Sequence, residues 1–354
     1  MATEHDSVAV TFASVRERLE AREELWLAPL ATRSRGARRL RDEAPSPVRT
    51  AFQRDRDRII HSKSFRRLKH KTQVFLAPPG DHYRTRLTHT LEVTQIARTI
   101  GRALNLNEDL VEAIGVGHDL GHTPFGHAGE RALAEVFPGF RHNEQSLRIV
   151  DRLEKEGAGL NLSEPVRDGI LHHSKPRGGI TENVSAMPAT LEGQVLKIAD
   201  GVAYINHDLD DAMRAGIVRT EDVPPAVIEV LGDSHAERID TLVRDIVDRS
   251  NVADAPGSIV MSTSIQTAAD LLRSFLFERV YGPINEREET RRAQHVVVAL
   301  FHYFAEDTGR IHTFDADRPE EATPERLAVD FVASMSDRYA VEVYERIFVP
   351  RTIA

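Results

Sequence analysis

Thirteen residues, His118-Asp119-Leu120-Gly121-His122-Thr123-Pro124-Phe125-Gly126-His127-Ala128-Gly129-Glu130, hold three histidines and two carboxylates. A core helix rarely carries so many ionisable groups, because burying each one unpaired is costly. A solvated loop has no use for Leu120 and Phe125 between them. The mixture suits a metal or phosphate site, where ligands are held on a shaped backbone. His118 and Asp119 are adjacent, at the end of a helical pattern that stops at Gly121. Two further ligand candidates sit in helical patterns beside core-facing apolar positions. They are His89, in Arg86-Leu87-Thr88-His89-Thr90-Leu91-Glu92-Val93, and Asp200, in Leu196-Lys197-Ile198-Ala199-Asp200. Each alone reads as an ordinary satisfied polar residue. Together, two imidazoles and two carboxylates make a mixed nitrogen and oxygen set. That set suits magnesium or a first-row divalent ion, with positions left for water and substrate.

His127 and Glu130 are three apart, so on a helix they share a face. A carboxylate beside an imidazole orients it and raises its basicity, as a general acid or base needs. The plainer explanation is a solvated i,i+3 pair. Asp200, Tyr204 and Asp208 follow at i, i+4 and i+8 along one stripe, with Lys197 close by. Solvent exposure is the competing explanation there.

The elements that must position these groups read as helices. Apolar residues at helical spacing run from Phe12 to Leu27. Pro47 suits a first turn, and Val48 to Lys71 follows with two apolar stripes. Ala77-Pro78-Pro79-Gly80-Asp81 breaks the chain, and Gln73-Val74-Phe75-Leu76 before it has strand character. Helical patterns then cover Arg86–Leu104, Glu108–Leu120, Gly126–Val136, Asn143–Lys155, Pro165–His173 and Thr190–Ala215. Lys175–Pro188 and Asp315–Pro324 read as loops, and four more helical patterns are expected after Val223. The strand signal is too thin for a βαβ protein. A mostly helical single domain is predicted, with at most a small β-hairpin.

The 354 residues are 41% hydrophobic, enough for one large core or two fused lobes. Formal charge is −9, which argues against general nucleic-acid affinity. There is no cysteine, so a disulfide framework, thiolate-ligated zinc and a cysteine nucleophile are all excluded. No run approaches the ~18 apolar residues of a membrane span, and the start has no basic-then-apolar signal pattern. A cytoplasmic protein is expected. The charge is uneven: Arg33 to Lys71 carries fourteen Lys or Arg against four Asp or Glu. Such an excess is either a solvated face with internal ion pairs or a surface for a polyanion.

His89, His118-Asp119 and Asp200 resemble the H…HD…D signature of HD-domain phosphohydrolases. The chain is more closely similar to the deoxynucleoside triphosphate triphosphohydrolases, the dGTPase family, in its compact bacterial subgroup. The blocks that carry this are Arg54-Asp55-Arg56-Asp57-Arg58-Ile59-Ile60-His61-Ser62, Arg84 to Val93, His118 to Glu130, Phe140-Arg141-His142-Asn143-Glu144-Gln145-Ser146 and Met335-Ser336-Asp337-Arg338-Tyr339. The resemblance runs from about Trp26 to Tyr344. It implies an all-α HD-domain helical phosphohydrolase fold, with a single dGTPase-like domain over residues 1–354. Its HD core would cover approximately 84–215 and a C-terminal helical part approximately 216–354.

The resemblance also implies an activity: metal-dependent hydrolysis of dGTP or several dNTPs to deoxynucleoside and inorganic triphosphate. His89, His118, Asp119 and Asp200 would hold one divalent ion, Mg, Mn or another first-row metal. His127 would be the acid–base residue, supported by Glu130. Arg86, His122, His142 and Tyr204 match phosphate contacts, and Gln73 and Asp208 match sugar contacts. Tyr339 is the one candidate for reading the base. The expected partners are a dNTP substrate, an allosteric dNTP, further copies of the chain in a homo-oligomer and single-stranded nucleic acid. Two other functions compete: an HD-type nucleotidase or other nucleotide phosphohydrolase, and a non-catalytic nucleotide or single-strand sensor.

Overall fold

The computed structural model describes residues 14–74, 84–174, 187–314 and 322–350. Among them are sixteen α-helices and no strand, so the fold is all-α. β-Pairing is confined to isolated bridges, one of which joins Thr72 to Thr85. The expected hairpin is therefore not seen in the described part: Gln73 and Val74 lie in a bend, and residues 75–83 fall outside the described residues.

The Leu191–Arg214 helix is the axis of the larger core. It buries Val195, Leu196, Ile198, Val202, Ile205 and Leu209, and also Asn206, His207 and Asp208. A helix buried on nearly all faces belongs at a domain centre. Its start is fixed by Thr190, whose Oγ1 accepts from Gly193 N at 3.1 Å. The Arg86–Ala103 and Glu108–Gly117 helices pack on it and on each other, and the Ala51–Ile60 helix packs on Glu108–Gly117. A second hydrophobic cluster joins Gly126–Val136 to Glu288–Glu306, Pro324–Ser334 and Asp337–Phe348. The rings of Phe304 and Phe331 meet edge-on within it at 4.8 Å. Among the described residues, no helix is long and apolar enough to cross a membrane.

Two differences from the sequence reading have local causes. The Val48–Lys71 pattern is not one helix but Ala51–Ile60, Lys63–Arg67 and a 3-10 turn at Leu68–His70. Ser62 breaks it by capping the second piece, with its Oγ accepting from Phe65 N at 3.1 Å. Among the described residues after Val223 there are seven α-helices rather than four, because prolines at Pro225, Pro283 and Pro324 start additional short ones.

The turn after Glu108–Gly117 lies directly on the His142–Arg148 helix. Gly121 N donates to Ser146 Oγ at 2.8 Å, and that hydroxyl donates to the His118 carbonyl at 2.7 Å. A Cβ on Gly121 would sit 2.2 Å from both the His142 carbonyl oxygen and the Ser146 nitrogen. Both obstacles are backbone and cannot swing aside. Gly121→Ala should therefore lower unfolding free energy by at least ~2 kcal/mol in urea titrations. A change within ~0.5 kcal/mol would show that this contact does not constrain the turn.

Candidate active site

Four side chains from three elements converge. His89 comes from the Arg86–Ala103 helix, His118 and Asp119 from the end of Glu108–Gly117, and Asp200 from the Leu191–Arg214 helix. His89 Nε2 lies 3.3 Å from Asp200 Oδ1. His118 Nε2 lies 3.5 Å from Asp119 Oδ1 and 4.0 Å from Asp200 Oδ1. His118 Nδ1 donates to the Gly115 carbonyl at 2.6 Å, which fixes the tautomer and leaves Nε2 as a lone pair. That nitrogen is buried and has no hydrogen-bond partner. A buried imidazole nitrogen facing carboxylate oxygens is a donor set of the kind that can hold a metal ion, and His89, His118 and Asp119 bring their ligand atoms within 4.8 Å of one another.

Asp119 is the most heavily engaged of the four. Arg86 Nη1 donates to its Oδ2 at 2.9 Å, and His122 Nε2 approaches Oδ1 at 3.1 Å. Burial pushes the carboxyl up, but the charges of His118, His122 and Arg86 outweigh it and hold the group well below the usual range.

Around the turn, Phe125 adopts φ 62° and Gly126 φ 56°. A bulky residue in the left-handed region is strained. Asp337 holds it, accepting from Phe125 N at 2.8 Å and from Thr72 N at 2.9 Å. The resulting kink starts the Gly126–Val136 helix with His127 and Glu130 on one side. Glu130 is shared: Oε2 lies 3.2 Å from His127 Nδ1, and Oε1 lies 2.7 Å from His142 Nδ1. Burial raises this carboxyl, yet the two imidazoles outweigh burial and keep it well below the ordinary range. The His142 ring stacks on His122 with centroids 3.9 Å apart. Its Nε2 faces His173 Nε2 at 3.2 Å, so both nitrogens of His142 are engaged.

A cavity of about 420 Å³ opens onto this cluster. Gln73, Arg86, His89, Asp119, His122, His127, Glu130, His142, Asp200 and Tyr204 all line it. Two sequence candidates lie elsewhere. Asp208 is fully buried and accepts from the Tyr281 hydroxyl. Tyr339 packs against the second hydrophobic cluster. Arg273, Tyr281 and His173 are wall residues that the sequence reading did not single out. Among the described residues, ten buried side-chain nitrogen or oxygen atoms have no partner. Four of them belong to Gln73, Arg86, His118 and His122, at or beside the cavity. Buried polar atoms are normally satisfied, so this concentration makes the cavity the candidate place for a ligand.

Part of the Arg33–Lys71 excess is spent on internal ion pairs. Arg39 pairs with Asp55 and Glu43, and Arg58 with Glu43. Arg35 pairs with Glu20 and Arg56 with Glu112, carboxylates outside the segment. Lys71 is buried, and its Nζ donates to the carbonyls of His122 and Ala333.

Residues 86–205 match the HD domain, and residues 259–346 match the phosphohydrolase-associated domain. The chain is 52% identical over 338 residues to a deoxyguanosinetriphosphate triphosphohydrolase-like protein of Caldanaerobacter subterraneus subsp. tengcongensis, covering 95% of this chain and 96% of that one. A protein of the same description from Desulfatibacillum aliphaticivorans is 49% identical over 346 residues, at 95% and 99% coverage. One from Clostridium tetani is 45% identical over 345 residues, at 96% and 98%. Among solved structures, a hypothetical protein from Aquifex aeolicus overlaps 83% of this chain and 71% of its own at 19% identity, with a TM-score of 0.44.

Burial pushes the Asp208 carboxyl up to about 7. The folded chain then keeps a proton that the unfolded chain, with a carboxyl near ~3.9, has released. Stability from this group is present at low pH and lost as pH rises through about 7. Asp208→Asn cannot titrate, so it should gain on the order of 1–2 kcal/mol relative to the native protein between about pH 5.5 and pH 8. Urea unfolding at both pH values measures this, and parallel pH dependences would contradict it.

Proposed function

The chain belongs to the deoxyguanosinetriphosphate triphosphohydrolase-like proteins, an HD-domain family, and from that premise we propose that it hydrolyses a 2′-deoxynucleoside triphosphate to deoxynucleoside and inorganic triphosphate. The observation that carries the reading is the gathering of unpartnered buried atoms, Gln73 Oε1, Arg86 Nε and His122 Nδ1, on one cavity beside the His89, His118, Asp119 and Asp200 cluster, where His118 Nε2 is also without a partner. A cavity of about 420 Å³ also suits a ligand of nucleotide size.

His89, His118, Asp119 and Asp200 would hold one divalent ion, Mg, Mn or another first-row metal. Such an ion supplies Lewis-acid polarisation of a phosphate oxygen and a water of lowered pKa. The chain's own residues do the rest. Water attacks the α-phosphorus as the bond to the 5′-oxygen breaks. His127 delivers a proton to the departing oxygen from one ring nitrogen, while its Nδ1 stays on Glu130 Oε2. Arg86 keeps one donor on Asp119 and offers its unpartnered Nε to a phosphate oxygen. His122 and Tyr204 face the same phosphates, and Arg273 brings a cation that no carboxylate among the described residues neutralises. Gln73 reads the sugar from the wall. Asp208 acts behind Tyr281, setting the position of that ring against the sugar. The substrate is dGTP or several dNTPs. A homo-oligomer with an allosteric dNTP belongs to the same reading.

Two variants test the assignment. Asp119→Ala should lose both bound metal and turnover, and full metal content in that variant would remove it from the ligand set. His127→Ala should keep metal and nucleotide binding while turnover falls about 10²–10⁴-fold. Turnover near the native value would leave His127 without the acid–base role.

A further inference from the structure

Asp337 opens the Asp337–Phe348 helix, and no step of the proposed reaction uses it. Its two carboxylate oxygens serve two different stretches of chain. Oδ1 accepts from Phe125 N at 2.8 Å. Oδ2 accepts from Thr72 N at 2.9 Å and from the Thr72 hydroxyl. Both stretches lead directly to cavity residues. Phe125 precedes the Gly126–Val136 helix, whose second residue is His127. Thr72 precedes Gln73, and its bridge partner Thr85 precedes Arg86. Gln73, Arg86 and His127 line the cavity, and Asp337 is not among the lining residues.

The turn that Asp337 holds decides where His127 points. Phe125 sits at φ 62°, a conformation that a bulky residue keeps only where its surroundings over-determine it. The Phe125 carbonyl accepts from Ala128 N at 3.2 Å, so the setting of this one residue aims the first turn of the helix. The two stretches also touch. A Cβ on Gly126 would sit 3.1 Å from the Gln73 carbonyl oxygen and 3.2 Å from Arg86 Nη2. Asp337 therefore ties an already close contact together through both of its partners at once.

We propose that Asp337 is a positioning residue for the reaction: it fixes His127 and Gln73 relative to each other and to the His89, His118, Asp119 and Asp200 cluster. The cluster and His127 lie within residues 86–205, the HD-domain match, whereas Asp337 lies within 259–346, the phosphohydrolase-associated match. The C-terminal segment thus acts on turnover through Asp337, by placing His127. A misplacement of ~1 Å at a reacting group can cost about 10²-fold in rate. The kinetic half of this inference rests on the acid–base reading of His127, and the clamp itself does not.

Asp337→Asn leaves one acceptor oxygen and turns an NH2 group toward the remaining donors. In the full-length protein, amide hydrogen exchange read by mass spectrometry should speed up over residues 70–74 and 123–130 and stay native over 191–214. With manganese(II) and whichever of the four dNTPs turns over fastest, kcat should fall about 10–10²-fold at native metal content. Placed in His127→Ala, the same substitution should lower kcat less than about 3-fold, because the group it positions is gone. Thr72→Val, which removes only the hydroxyl contact, should move exchange and kcat the same way by less. Native exchange over both stretches in Asp337→Asn overturns the clamp. Faster exchange with native kcat makes Asp337 a structural residue only and overturns the proposal, as does a repeated 10–10²-fold loss in the His127→Ala background. Native turnover in His127→Ala alone overturns the acid–base reading and the route through His127 with it, while exchange still decides the clamp.

Discussion

A carboxylate buried at the centre of an all-α fold governs this molecule. Taking Asp119 out of water costs several kcal/mol on its own, and removing one partner of such a group typically costs ~3–5 kcal/mol. The surrounding sequence offsets that cost with Arg86 at 2.9 Å and His122 at 3.1 Å. Arg86 opens the Arg86–Ala103 helix, and His122 ends the turn that Gly121 allows against the His142–Arg148 helix. Satisfying one charge thus fixes three segments relative to one another. The same constraint aims His118 Nε2 into the cluster without a partner of its own. A chain that stabilises one buried anion so thoroughly, yet leaves polar atoms around it without partners, fits the proposed binding of a cation and a polyanion.

The C-terminal helices contribute positions as well as bulk. Asp337 accepts from both Thr72 N and Phe125 N, tying together the two loops on either side of the cavity. Lys71 joins the His122 carbonyl to that of Ala333. The left-handed Phe125 and the helix carrying His127 are therefore held from the second hydrophobic cluster. His127 and the His89–His118–Asp119–Asp200 cluster are set by different lobes that share this clamp, so a shift of one against the other would change their separation directly.

Much of this was legible because its signals are local. Helical periodicity located Arg86–Ala103 and Leu191–Arg214 within a residue or so of their ends. His118-Asp119 stood out because charged pairs rarely follow so apolar a helix. The break at Ser62 was hidden, since the apolar stripe of Phe52, Ile59, Phe65 and Leu68 continues across it and only the serine cap marks it. His173, Arg273 and Tyr281 were missed for a different reason. Each is ordinary in its own window and becomes part of the wall only through tertiary packing. Counting charge between Arg33 and Lys71 overstated the free positive charge, because Glu20 and Glu112 reach in from other helices. Spacing places Asp200, Tyr204 and Asp208 on one stripe, but periodicity does not show that Asp208 bonds to Tyr281, which lines the cavity in its place.

The central claim is that the cluster and His127 act on the α-phosphorus and break its bond to the 5′-oxygen. Turnover of a dNTP in water enriched in oxygen-18, with both products weighed by mass spectrometry, tests this most directly. The account predicts one heavy oxygen in inorganic triphosphate and none in the deoxynucleoside. Label in the deoxynucleoside, or release of phosphate or pyrophosphate in place of triphosphate, would contradict it.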